Sequence, residues 1–217
     1  MSVPIDQLCD KLESVSDGEV GNEAIVEAIR DAYVNNKQVC FDGDNYAESW
    51  HAEAEQRGLA NLRTTVEALP WLVEKQTIST MERYSVLSER ELESRFEVFV
   101  EQYSTNANIE AETAASIART MLLPAAVRHL NQLKAAGHDG LITETATLVD
   151  ELYDAIVALE KANKDHPSEE GLELAKYMRD TVIPAMEAVR AVADRLERIV
   201  ADDLWPLPKY SEMLFIK

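Results

Sequence analysis

The sequence predicts an all-α fold: a helical bundle of three long, partly proline-kinked helices, preceded by a shorter helical N-terminal arm. Three observations carry this. Ala175, Met178, Val182, Ala185, Val189, Val192, Leu196 and Ile199 alternate steps of three and four, an a/d seam over about four heptads that needs partner helices to cover it. Two capping boxes, Thr64-x-x-Glu67 and Ser88-x-x-Glu91, announce helix starts. No strand of useful length is readable anywhere in the chain.

In chain order, residues 4–12 form a short helix and residues 14–21 a polar break. Asn22 caps the next helix, with Ile25, Val26, Ile29 and Tyr33 on one face, ending near Asn35 and Asn36. Residues 38–41 read as a short apolar, extended link. FDGDN (41–45) is turn chemistry, since Gly43 and Asn45 tolerate positive φ. Asp44 or Asn45 caps a helix over 46–57, and Gly58 stops it. Thr64 opens a short helix with Pro70 in its first turns, where a missing N–H costs little.

From Ser88 to Gly137 the pattern is helical throughout. Leu92, Phe96, Phe99 and Tyr103 line one stripe, continued by Ile109, Ile117, Met121, Val127 and Leu130. STNAN (104–108) is poor helix chemistry and is the expected place for a bend. Unbroken, this helix is on the order of 70 Å long. Residues 137–140 form a turn. A second long helix spans 143–164, with Val149, Leu152, Ile156 and Leu159 as its stripe. Pro167 and Ser168 separate it from a third over 168–201. Arg119 precedes Pro124 by five residues and Arg179 precedes Pro184 by five. Each proline is expected to kink its helix and free a carbonyl one turn earlier. This organisation divides the chain into an acidic helical lead-in, 1–40, and a helical domain, 41–217.

Composition limits function. With 217 residues, 46% of them hydrophobic, the chain can bury a sizeable core. A net charge of -19 repels phosphate backbones and anionic membranes, so neither nucleic acid nor a membrane is expected as a partner. No apolar run approaches membrane-spanning length, and MSVPIDQLCDKLE has neither the basic nor the apolar region of a signal peptide. Cys9 and Cys40 lie far apart with no CxxC spacing, which suits a reducing cytoplasm.

Candidate chemistry is sparse. Asp42, Asp44 and Glu53 fill three positions of a calcium-loop template, but Tyr46 and Ala47 stand where an oxygen ligand and Gly are needed. His51 and Glu55 share a helix face without a third ligand at a fitting spacing, so a local ion pair is the reading. His129 caps or packs, and His138 and His166 sit near helix ends, where a cation is favourable. No nucleophile elbow and no glycine-rich phosphate loop occur among seven glycines. Trp50, Trp71 and Trp205 read as anchors under loops. The tail from Leu204, with WPLP and then SEMLFI, is too apolar to hang free and is expected to dock on its own bundle or on a neighbour. No catalytic, cofactor-binding or metal-ligating residue is assigned.

One resemblance sharpens the reading. GDNY (43–46), Trp50 with His51, EAEQRGL (53–59), NLRTT (61–65), LSERELESR (87–95), EQY (101–103) and LWPLPKYSEMLFIK (204–217) resemble the C-terminal helical domain of type III glutamine synthetases. The resemblance covers nearly the whole chain. It implies a parent enzyme that ligates ammonia to glutamate with ATP and Mg²⁺ or Mn²⁺, on a catalytic domain preceding this one, in stacked rings of subunits. This chain would then be a non-catalytic part, without cofactors of its own, partnered by that catalytic domain and by other subunits. The resemblance also implies that residues 1–40 lead in from that domain, which Met1 truncates. The alternative is a freestanding helical interaction module.

Overall fold

The computed structural model describes residues 2–15, 21–166 and 170–214, and these form helices with no strand among them. The chain divides into two compact units, residues 1–68 with 74–88, and residues 69–73 with 89–217.

The first unit holds α1 (Ser2–Val15), α2 (Asn22–Asn35), a 3₁₀ turn (Lys37–Val39), α3 (Glu48–Gln56), α4 (Thr65–Ala68) and α5 (Lys75–Arg83). α1 and α2 pack as a pair with an ion pair between Lys11 and Asp31. Arg83, at the end of α5, pairs with Asp6 and Asp10 of α1. Asn22 is not the cap of α2: extended Gly21 occupies that position without a side-chain bond, and Asn22 is the first helical residue. The helix ends at Asn35, as its composition implies. Its apolar stripe is not its buried face. Ala28 is the buried residue of α2, whereas Val26, Ile29 and Tyr33 are 64, 59 and 57% exposed.

Residues 38–41 are not a plain extended link, because Cys40 N–H closes the 3₁₀ turn on Lys37 O at 3.0 Å. α3 starts at Glu48, two residues later than expected. The Asp44 carboxylate accepts Tyr46 N–H at 2.9 Å and holds residues 44–47 as a turn instead. Its end is as read: Gly58 has φ +75°, its N–H reaches Glu55 O, and Leu59 N–H reaches Ala54 O, both at 2.9 Å. That paired closure needs a left-handed residue, which glycine supplies without steric cost. The Thr64–Glu67 capping box forms in both directions, Glu67 N–H to Thr64 Oγ1 at 3.3 Å and Thr64 N–H to Glu67 Oε2 at 3.1 Å. α5 goes unmarked in the sequence reading.

The second unit is the bundle. A 3₁₀ turn (Leu69–Val73) packs on α6 (Glu89–Ile117), which begins just after Ser88 and passes through a π turn (Ala118–Leu122) into α7 (Leu123–Ala136). STNAN does not interrupt the helix. Ser104 is buried and donates its hydroxyl to Val100 O at 3.1 Å, inside an unbroken helix. Gly137 (φ +76°) ends α7. α8 (Asp139–Lys164) begins four residues before the expected position because His138 caps it, Nδ1 accepting Leu141 N–H at 3.3 Å. His138 therefore caps a helix N-terminus by accepting a backbone N–H. The third helical run comprises α9 (Gly171–Tyr177), a second π turn (Met178–Val182) and α10 (Ile183–Glu197). The expected break at Pro167 and the start at Ser168 lie outside the described residues.

α8 packs against α6, α7 and α10. Leu152, Ile156 and Leu159 are fully buried in its seam, each worth about 2 kcal/mol relative to exposure. Of the a/d residues, Met178, Val182, Val189 and Leu196 lie in this core and Ala185, Val192 and Ile199 pack against it, while Ala175 is buried as well. The stripe of α6 falls only partly where the large residues are, with Leu92 buried and Tyr103 and Ile117 packed against the core. Its buried residues are Leu92, Val100, Ser104, Ala107, Ala111 and Ala115, while Phe99 and Ile109 face outward. Small side chains let helices approach at the short end of the usual interaxial range. Trp205 and Leu204 close the core, and α11 (Tyr210–Met213) follows with Met213 and Leu214 exposed. Phe215 and Ile216 lie outside the described residues.

Candidate functional site

In the stretch before α3, Phe41 stacks on Trp50 with ring centroids 3.9 Å apart. The Arg57 guanidinium lies 5.7 Å from the Phe41 centroid and 5.3 Å from that of Trp50, within cation–π range. Arg57 also donates to Cys40 O at 2.8 Å and Gln38 O at 3.3 Å and pairs with Glu53. The cluster clamps the loop before α3 onto the helix. It takes Glu53 out of the calcium template, and Asp44 is engaged by Tyr46 N–H. His51 is half-buried and Glu55 exposed on α3. No group of three or more His, Cys, Asp or Glu side chains placed to hold a metal ion occurs among the described residues.

In the bundle, both Arg-x4-Pro segments become π turns. Pro124 and Pro184 have no N–H, and their rings push away the carbonyl four residues back. The helices widen instead, with Leu123 N–H bonding Ala118 O and Ile183 N–H bonding Met178 O. Each turn carries an arginine at its second residue. Arg119 donates two bonds to Glu160 of α8, at 2.5 and 2.6 Å, and lies 5.8 Å from the Tyr153 ring centroid. The Glu160 bond raises the Arg119 pKa further, against a smaller opposing effect of burial. Arg179 holds Asp180 at 2.6 and 2.8 Å, and this bonding lowers the Asp180 pKa below the usual carboxylate value. Further ties bind α8 to its neighbours: Arg195 to Glu151 at 2.6 Å, Tyr177 hydroxyl to Ala162 O at 3.0 Å, and Asn163 to Asn108 at 2.8 Å.

Among the described residues of the second unit, hollows open beside α6. One, about 780 Å³ between α6 and α9, is lined by Phe96, Val100, Leu174 and Met178 together with Glu97 and Glu101. The other, about 400 Å³ between α6 and α8, has Ala111 and Ala115 beside Glu112 and Glu160. Acidic side chains line both hollows. His129 packs on α7 with Nδ1 buried and without a hydrogen-bond partner. Of the tryptophans, Trp50 and Trp205 anchor local structure, but Trp71 is half exposed. Sequence reasoning missed Arg57, because its partners are backbone carbonyls 17 and 19 residues away. Aromatic residues flanking a lone arginine were the available signal.

The glutamine synthetase C-terminal domain family model matches residues 24–139, just over half of the chain. These residues include most of α2, the aromatic–arginine cluster, the Thr64 capping box, α6, the first π turn and α7. The type-3 glutamine synthetase of Dictyostelium discoideum is 34% identical over 215 residues, 89% of this chain and 29% of that protein. The glutamine synthetase of Bacteroides fragilis is 30% identical over 96% of this chain and 31% of its own length. That of Butyrivibrio fibrisolvens is 28% identical over 94% and 31%. The chain thus spans under a third of the length of these curated relatives. No helix among the described residues is long and apolar enough to cross a membrane. Matched over the residues that build its arginine clamp and its first proline-marked helix, the chain belongs to the glutamine synthetase C-terminal domain family.

Proposed function

We propose that this chain serves as the helical C-terminal domain of a type III glutamine synthetase, contributing structure, assembly or regulation to an enzyme whose catalytic part lies elsewhere in the polypeptide. The observation that carries this reading is the match itself: nearly the whole chain aligns with under a third of each relative. The parent reaction is the ATP-dependent ligation of ammonia to glutamate, in the cytoplasm, in an assembly of several subunits. Its nucleotide and its Mg²⁺ or Mn²⁺ do not suit the residues here. Phosphoryl transfer needs groups that hold metal, triphosphate and acceptor together. The larger hollow of the bundle has Glu97 and Glu101 in its lining and no lysine or arginine, an unfavourable surround for a triphosphate. The tied and buried bundle supports a rigid body that docks on something larger.

The purified chain is expected to show no γ-glutamyl transferase or biosynthetic activity and no ATP binding by calorimetry. Turnover above background, or micromolar ATP binding, overturns the non-catalytic role. In the companion test, this chain replaces the matching portion of the Dictyostelium enzyme. Glutamine formation by the chimera, with loss of assembly when the portion is deleted outright, is the expected result. A deletion that assembles and works equally well leaves a freestanding interaction module as the better reading.

A further inference from the structure

We draw no further inference here: the strongest candidate, the hollow of about 780 Å³ between α6 and α9 where Phe96, Val100, Leu174 and Met178 lie beside Glu97 and Glu101, is an apolar groove with acidic side chains whose lining runs up to both ends of a segment outside the described residues, and nothing in the structure shows what covers it.

Discussion

Arg57 shows how one side chain settles a segment that has no helix or sheet to hold it. The residues before α3 satisfy two carbonyls on its guanidinium, and its planar cation lies over both stacked rings. Replacing it with alanine leaves those carbonyls to water and unstacks a half-buried pair. We expect Arg57→Ala to destabilise the first unit by about 1–2 kcal/mol and to shift Trp50 emission to the red. Arg57→Lys should recover little, because an ammonium cannot reach two carbonyls and a carboxylate in one plane. Unchanged emission and melting in Arg57→Ala would show that the loop holds itself. At this scale the sequence was only partly legible. Gly58 and the Thr64–Glu67 box act through neighbours in sequence and were readable. The Arg57 clamp acts through space, and Asp44, bonding forward to Tyr46 N–H, displaced the expected start of α3.

Helices as elements were legible, and their buried faces less so. The seam of α9 and α10 lies where its period puts it, because large aliphatic residues recur there with partners on α8. Val189→Asp, at 4% exposure, places an unpaired charge in that seam and should cost about 3 kcal/mol or more. α6 is the contrary case. Ranking residues by hydrophobicity selects Phe99 and Ile109, but close helix packing selects Ala107, Ala111 and Ala115. The two readings separate experimentally. Ala107, buried and in the lining of neither hollow, should tolerate no enlargement, and Ala107→Leu should destabilise by about 1–3 kcal/mol. Ile109→Gln should change stability by no more than about 0.5 kcal/mol. The reverse ranking in urea melts would restore the stripe of large residues. The proline positions were legible as disturbances, but a wide turn with a bond to the fifth residue back was not. It depends on how the chain relieves the ring clash, and the same wide turn forms at Pro184, where the arginine pairs with its own neighbour Asp180 and not with α8.

At the scale of the whole molecule the two units differ in what holds them. The second buries Leu92, Leu152, Ile156, Leu159 and Leu196 almost completely. The described residues of the first bury only Ala28, Ala54 and Val66, and its ties include the Arg57 clamp and exposed ion pairs from Lys11 and Arg83. Fully burying a leucine or isoleucine is worth about 2 kcal/mol, whereas an exposed ion pair contributes about 0–1 kcal/mol and weakens with salt. The first unit should therefore melt first. Calorimetry of the intact chain should resolve two transitions, and added salt should lower mainly the first. Arg83→Ala should move that lower transition alone, by removing the partner of Asp6 and Asp10, and Val189→Asp should move only the upper one. A single cooperative transition displaced by both substitutions would show that the units share one stability.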